Sequence, residues 1–205
     1  DTFSIITINL NEAIRNIEEN FEPRYNIAPS SQLYAIYQAD GEYQIDSFRW
    51  GLIPTWAKDE SMANKCFNAR SETIAEKPTF RNAYKKSRCI VPIDGYFEWK
   101  TGADKKKQPF FIRNETAPLY LAGLCEPSTR SLTIVTCEAE AKLRDIHNRR
   151  PIALSPDEIQ TWLDPKSTQI ELLMAIKSSE IDKVKTDMVS TKVNSVANDG
   201  PELLE

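Results

Sequence analysis

The 205-residue sequence has one histidine, four cysteines and six glycines, and these small numbers already limit what the protein can be. No two cysteines form a CxxC pair, whereas a zinc site of the usual spacing needs several Cys or His ligands close together. Most of the cysteines stand in apolar, strand-like runs, where they behave as small buried hydrophobic residues. We therefore expect no disulfide framework, no metal and no other cofactor.

Several functional signatures are missing as well. The sequence contains no GxSxG nucleophile elbow, no P-loop and no GxGxxG dinucleotide fingerprint, so serine-hydrolase, nucleotide-triphosphatase and Rossmann functions have no support. No uncharged apolar run approaches the roughly 18 residues of a membrane span. The first residues lack both the basic start of a signal peptide and an initiator Met. These features predict a cytoplasmic protein that makes no membrane contact and has further residues upstream of Asp1.

The patterns that are present alternate between helix and strand. An Asp40-Gly41 turn between two alternating runs predicts a β-hairpin over 32–50. Ser155, Pro156 and Glu158 carry the start signals of a helix, with a capping box. Helices are predicted over 11–21, 78–86, 138–147, 155–164 and 167–177, and further strands over 89–100, 108–113, 117–126, 131–138 and 186–193. The sequence therefore predicts a single α+β domain with mostly antiparallel strands and peripheral helices.

The charge is mildly acidic overall but uneven along the chain. The formal net charge is −4, yet residues 77–88 hold five basic side chains and no acidic one. A nucleic-acid contact requires only a local basic face, so the acidic balance does not exclude one. A solvated helix face is the alternative interpretation of the same residues.

Three short segments carry residues that suit chemistry. FNARSET contains Asn68 and Arg70, and DGYFEWK places Glu98 among large aromatic side chains, where a carboxylate can act as general acid or base. DIHNRRP holds the only histidine, His147, next to Arg149, which suggests a nearby anion. An exposed strand glutamate and a structural histidine are the alternative interpretations.

Taken in order, the motifs of the chain resemble those of the SRAP family, the SOS-response-associated, abasic-site-processing proteins. The resemblance covers essentially the whole chain, and nine motifs in the right order are far more specific than any one of them. The motifs are RYNIAP (24–29), RWGLIPTWAK (49–58), FNARSET (67–73), CIVPIDGYFEWK (89–100), QPFFI (108–112), LAGL (121–124), TIVT (133–136), DIHNRRP (145–151) and NSVANDGPELLE (194–205).

The resemblance implies a fold of curved, barrel-like sheets and a covalent DNA chemistry. Family members carry a cysteine directly after the initiator Met, which the protein itself removes. The α-amine and thiol of that cysteine then condense with the ring-opened aldehyde of an abasic site in single-stranded DNA, and a thiazolidine forms. An α-amine has a pKa of about 8, so much of it is neutral and nucleophilic at physiological pH. The family begins Met-Cys-Gly-Arg and this chain begins at Asp1, so we expect the nucleophile upstream of Asp1.

The resemblance also implies roles for individual residues. Asn68 matches the asparagine that positions the N-terminal amine, Glu98 the proton shuttle that also assists Met removal, and His147 the histidine that assists opening of the sugar ring. The DNA-binding residues implied are Arg70, Arg149, Trp50, Pro54 and Trp56. The implied partner is single-stranded DNA with abasic sites, bound by a monomer that associates with the nucleoid when it is on DNA.

Three functional hypotheses follow. The first is a DNA-repair enzyme that crosslinks covalently to abasic sites and processes its own N-terminus. The second is a non-covalent module that binds single-stranded or modified DNA through the same basic face. The third is a peptidase that acts on other proteins through Glu98 and His147, and it ranks last because the sequence shows no water-activating metal site and no internal activated nucleophile.

Overall fold

The computed structural model describes residues 10–115, 117–178 and 184–205, and within them the chain forms five α-helices and eleven β-strands. The helices are α1 (Leu10–Asn20), α2 (Arg81–Lys86), α3 (Ala141–Arg144), α4 (Pro156–Leu163) and α5 (Gln169–Ser178). The strands are β1 (Gln32–Ala39), β2 (Glu42–Trp50), β3 (Asn68–Arg70), β4 (Arg88–Ile93), β5 (Gly95–Thr101), β6 (Lys107–Arg113), β7 (Leu119–Glu126), β8 (Ser131–Glu138), β9 (Arg149–Pro151), β10 (Ala153–Leu154) and β11 (Lys185–Met188).

The predicted hairpin is confirmed. β1 and β2 pair antiparallel in continuous register from Gln32↔Arg49 to Ala39↔Glu42. Asp40 and Gly41 both have positive φ, 53° and 84°, as a two-residue hairpin turn requires.

Five strands of the larger sheet pair in a closed path. β1 pairs with β2, β2 with β8, β8 with β7, β7 with β4, and β4 with β1; the β2–β8 pairing is parallel and the others are antiparallel. β3, β9 and β10 attach to this ring-like sheet. The strands β5, β6 and β11 form a separate antiparallel sheet. The predicted α+β class, with mostly antiparallel strands and peripheral helices, is confirmed.

Alternate residues of the ring strands belong to two different hydrophobic clusters. In β4, Cys89 and Val91 belong to one cluster and Ile90 to the other. The cluster of Cys89 consists mainly of residues of the ring strands, and it also includes Ile112 of the second sheet and Leu143 of α3. The cluster of Ile90 also contains Ala13 of α1 and Trp162 of α4. Since side chains alternate between the two faces of a strand, one cluster fills the ring and the helices cover its outer face.

Four predicted elements need correction. The strand predicted over 89–100 divides at Asp94 into β4 and β5, which belong to different sheets. The helix predicted over 78–86 begins only at Arg81, because the residues before it form tight turns in which the Phe80 N–H donates to the Lys77 carbonyl. The helix predicted over 138–147 is wrong for its first residues: Glu138 ends β8 and pairs with Arg149, so the helix shrinks to α3. The last strand, predicted over 186–193, stops at Met188.

The helix predictions that the structure confirms rest on local interactions between neighbouring residues. The N-terminus of α4 is as predicted, with the Ser155 N–H donating to the Glu158 carboxylate at 2.7 Å. The predicted helices over 11–21 and 167–177 correspond to α1 and α5. Among the described residues, none of the helices combines the length and the apolar character needed to cross a bilayer.

Candidate active site in the cleft

A cleft with a volume of about 1010 Å³ opens between the ring-like sheet and the second sheet. Further wall residues come from the segments 21–29 and 193–204. Six of the eight predicted site residues line it: Trp50, Asn68, Arg70, Glu98, His147 and Arg149. The other two, Pro54 and Trp56, instead line a small depression beside the start of α2.

Glu98 is carried on β5, where its neighbours in the strand hold it half-buried. Its Oε1 accepts a hydrogen bond from the backbone N–H of Trp99 at 2.9 Å. Its Oε2 lies 3.5 Å from Nδ1 of His147. The Glu98 side chain is 25% exposed and that of His147 43%, so both groups are accessible from the cleft. The only histidine of the chain and the strand glutamate therefore form one acid–base pair.

The loop after α3 sets the orientation of the His147 ring. Nδ1 lies 3.2 Å from the backbone N of Arg149 and 3.1 Å from its carbonyl oxygen. In the neutral ring, an Nδ1 that accepts the Arg149 N–H leaves the proton on Nε2. In the protonated ring, Nδ1 donates instead, towards Glu98 or the Arg149 carbonyl. The contacts thus allow His147 to hold or release a proton beside Glu98.

Arg149 is held by the protein itself. Its Nη1 and Nη2 contact the two carboxylate oxygens of Glu72 at 2.7 and 3.1 Å, and Nη2 also donates to the carbonyl oxygen of Thr136 at 2.8 Å. These hydrogen bonds hold the pKa of Glu72 below its ordinary value. In the described part of the chain, Nε of Arg149 is buried with no hydrogen-bond partner. Arg149 therefore enters the cleft with most of its donors occupied.

Asn68 and Arg70 stand on β3, which pairs parallel with β8. Ala69 between them is fully buried in the cluster that the helices cover, so strand alternation turns both polar neighbours to the opposite face, which lines the cleft. Within the residues that the structure describes, Arg70 makes no ion pair, in contrast to Arg149. Of the two predicted phosphate ligands, Arg70 is the one with a free guanidinium.

The cleft also contains aromatic residues with defined contacts. The indole N–H of Trp50 donates to the Phe67 carbonyl at 2.8 Å, which fixes the chain just before Asn68. Burial, together with the nearby Glu98 carboxylate, raises the pKa of Tyr96 far above its ordinary value. The Tyr96 phenol consequently stays protonated at any physiological pH.

One set of cleft residues was not identified from the sequence. The side-chain amide of Asn26 is buried, and its Nδ2 lies 3.0 to 3.1 Å from three backbone carbonyl oxygens, those of Val193, Ser195 and Asn198. The backbone N–H of Asn26 donates to the Asp199 carboxylate at 2.8 Å. The segment 193–198 is thereby held against the segment 21–29 as a wall of the cleft.

This wall also contacts Trp99, the residue that follows Glu98 in β5. Nε1 of Trp99 donates to Oδ1 of Asn194 at 2.8 Å, and the backbone N–H of the same Trp99 donates to Glu98. The segments 24–29 and 194–205 are both motifs of the family resemblance. The polar residues inside them are the sequence feature that could have indicated this contact. Nothing in their spacing shows that they meet, since Asn26 and Val193 are 167 positions apart.

No group of three or more His, Cys, Asp or Glu residues in the described ranges is arranged to hold a metal ion. Comparison with known proteins then identifies the family. The model of the family described as SOS response associated peptidase (SRAP) matches residues 2–196. The chain belongs to the SRAP family.

Relatives agree with this assignment. The chain is 40% identical over 194 residues to the abasic site processing protein YoaM of Bacillus subtilis, covering 90% of this chain and 86% of that one. It is 38% identical over 197 residues to the abasic site processing protein YoqW of the same organism, covering 92% and 88%. A crystal structure of a protein from Bacteroides thetaiotaomicron superposes with a TM-score of 0.70 at 28% identity, over 89% of this chain and 81% of that one.

Proposed function

We propose that this protein processes abasic sites in single-stranded DNA by forming a covalent thiazolidine crosslink. The nucleophile would be an N-terminal cysteine upstream of Asp1, exposed when the protein removes its own initiator Met. The observation that carries the proposal is the Glu98–His147 pair, 3.5 Å apart in an open cleft that Asn68 and Arg70 also line. The names of the relatives supply the substrate class, since YoaM and YoqW are abasic site processing proteins.

The proposed mechanism requires proton transfer by the Glu98–His147 pair in two separate reactions. In the first, water adds to the Met carbonyl and the peptide bond to the cysteine nitrogen breaks; Glu98 accepts a proton from the water and returns it to the departing amine. In the second, the bond between C1′ of the abasic sugar and its ring oxygen breaks as His147 donates a proton to that oxygen, and the C1′ hydroxyl releases its proton to water and becomes the aldehyde. Both tasks need a proton carrier next to the reacting atoms, which the pair provides.

The crosslink then forms because the amine and thiol of the N-terminal cysteine are held close to the aldehyde. The amine condenses with the aldehyde, releasing one water and giving an imine. The thiol adds to the imine carbon to close a five-membered ring, which is why amine and thiol must belong to one N-terminal residue. Asn68, exposed on β3 beside Arg70, would position the amine through a hydrogen bond with its side-chain amide. Residues 1–9 lie outside the described residues, so this step rests on the resemblance and on the cleft.

The charges of the cleft fit a phosphate chain. Arg70 offers a guanidinium without an ion pair, and Arg149, whose Nη atoms already donate to Glu72 and Thr136, keeps one N–H of Nη1 for a further contact. Guanidinium groups bind phosphate oxygens through paired N–H donors. In this proposal the protein acts as a monomer in the cytoplasm, and it associates with the nucleoid through its DNA.

The test is an intact-mass measurement on the full-length protein mixed with a single-stranded oligonucleotide that contains one abasic site. The expected product has the mass of protein plus DNA minus one water. The matched control is the 205-residue chain that begins at Asp1, which should bind the oligonucleotide without forming the adduct.

The measurement also separates the two remaining hypotheses. If full-length protein with a cysteine at its processed N-terminus forms no adduct but keeps salt-sensitive binding, the protein is a non-covalent DNA-binding module. If it neither reacts nor binds, DNA is not its partner.

A further inference from the structure

The basic stretch over 77–88, noted in the sequence, is not used by the cleft. Four of its five basic residues are exposed, and the fifth, Arg88, is buried with its guanidinium bound to backbone carbonyl oxygens. Lys77, Arg81 and Lys85 follow one another at intervals of four residues, while Phe80 and Tyr84 of the same segment are buried. The three cations therefore share one outward face, named here the α2 cation row.

These cations are not neutralised by the protein. Among the described residues, Lys77, Arg81 and Lys85 have neither an ion pair nor a side-chain hydrogen bond. Three unpaired like charges on one short face repel each other, at a cost that a bound polyanion would remove. The repulsion among these cations favours a binding surface over the solvated helix face, which was the alternative interpretation of the charge pattern.

An exposed aromatic ring lies beside the row. Trp56 is 51% exposed, and together with Pro78 and Asn82 it lines the small depression at the start of α2. The acidic residue in the lining is Glu126, whose carboxylate accepts a hydrogen bond from Ser128 at 2.8 Å. A flat, exposed indole next to unpaired cations is the combination on which single-stranded nucleic acids stack and bind.

The backbone runs from the cleft to the α2 cation row through a short series of hydrogen-bonded turns. The Arg70 carbonyl accepts from the Thr73 N–H, the Thr73 carbonyl from the Lys77 N–H, and the Lys77 carbonyl from the Arg81 N–H, at 3.1, 3.0 and 2.9 Å. A series of tight turns therefore connects the free guanidinium of the cleft to the first cations of the row. A strand that leaves the cleft past Arg70 would meet Lys77 next.

We propose that the α2 cation row and Trp56 form a second DNA-contact surface, which holds the phosphate chain of the strand as it leaves the cleft. This inference rests on the proposed function, because it takes single-stranded DNA as the partner. Arg81 and Lys85 lie about 6 Å apart along α2, and Lys77 precedes the helix by one turn that the Arg81 N–H closes onto the Lys77 carbonyl, so the row spans about 12 Å. At about 3.4 Å per nucleotide of a stacked strand, that length matches three to four phosphates.

The test compares two triple variants of the full-length protein by fluorescence anisotropy at several salt concentrations. In one, Lys77, Arg81 and Lys85 are each replaced by Gln. In the control, Lys105, Lys106 and Lys107 are each replaced by Gln, which changes the net charge equally at exposed positions of the turn after β5 and at the first residue of β6. Each protein is measured with a short abasic oligonucleotide that fills only the cleft and with one extended by about ten nucleotides.

For the long oligonucleotide, losing three phosphate contacts should lower the slope of log K against log salt by roughly 2 and the affinity by roughly ten- to fifty-fold. The short oligonucleotide should bind, and form its adduct, as with wild type. Trp56→Ala should weaken binding of the long oligonucleotide without changing the slope, because a stacking contact releases no counterions.

Two results would overturn the inference. The first is equal binding of the long oligonucleotide by both triple variants; adduct formation with the short one would then show that only the second surface is wrong. The second is an equal loss with short and long oligonucleotides, which would mean that the substitutions disturb the cleft itself. Binding of wild type, but not of the row variant, to vesicles of anionic lipid in place of the DNA tail would assign the row to a membrane surface and also contradict the proposal.

Discussion

Replacement of Asn26 by Ala tests whether the segment 193–198 is a fixed wall of the cleft. The Asn26 amide is buried and faces three carbonyl oxygens at 3.0 to 3.1 Å, although it has only two N–H hydrogens to share among them. The substitution removes two effective hydrogen bonds and leaves buried acceptors without a donor. At about 1–2 kcal/mol for each of the two lost hydrogen bonds, which are only partly buried, the free energy of unfolding should fall by about 2–4 kcal/mol.

For a domain of this size, such a loss corresponds to a decrease in melting temperature of roughly 5–15 °C. Thermal unfolding followed by circular dichroism measures it, with Asn64→Ala as the control, since Asn64 is exposed on the 3₁₀ turn after β2. The control should stay within about 0.5 kcal/mol of wild type. Because Asn194 holds the Trp99 indole, Asn26→Ala should also slow adduct formation in the folded protein.

Two outcomes would refute this reasoning. A melting temperature of Asn26→Ala equal to that of the control would show that the three carbonyl oxygens find other donors. A lower melting temperature with an unchanged rate of adduct formation would show that the wall stabilises the fold without positioning Glu98.

Three further predictions concern the site and its support. Glu98→Gln should keep the melting temperature and slow adduct formation or Met removal by about 10²–10⁴, as intact-mass time courses will show, and unchanged rates in both assays would make Glu98 a structural residue. Arg70→Ala should lower the slope of log K against log salt for single-stranded DNA by about 0.7 without loss of stability. Arg149→Ala should also lower the melting temperature, because it leaves Glu72 and Thr136 without their partner. Identical melting temperatures of the two variants would contradict the structural difference between the two arginines. Arg88→Ala should cost about 3–5 kcal/mol in denaturant unfolding, because its guanidinium donates to carbonyl oxygens at the C-terminal ends of both α2 and α4, and a cost below about 1 kcal/mol would refute that capping role.

Local chemistry explains which parts of the fold were predictable. The hairpin at Asp40-Gly41 and the capping box at Ser155 depend on a few adjacent residues, and both were predicted. The segment 138–147 has a good helical pattern, but Glu138 pairs with Arg149 in the sheet, and that long-range pairing outweighs helix propensity. The predicted boundary of this helix was wrong because a tertiary contact, and not the local sequence, determines where the helix begins.

The same distinction applies to the site. Resemblance to the family pointed to Glu98 and His147 individually, and the structure adds that their side chains are 3.5 Å apart. No spacing rule could give that distance, because Glu98 stands on β5 and His147 in the loop between α3 and β9. The pairing of Arg149 with Glu72 was also beyond the sequence, since arginine next to histidine suggested a free cation and the structure shows a neutralised one.

The pairings that build the ring also affect how the protein becomes active during folding. The β2–β8 pairing joins Arg49 to Ser131, and the wall of the cleft joins Asn26 to Val193. Contacts so distant in sequence form late, because a long loop must close before any of them stabilises the chain. A partly synthesised chain would expose its N-terminus long before the segment 193–198 could dock. Under the proposed function, reactivity towards aldehydes should therefore arise only in the finished fold, which would keep the nascent chain from consuming the proposed N-terminal cysteine.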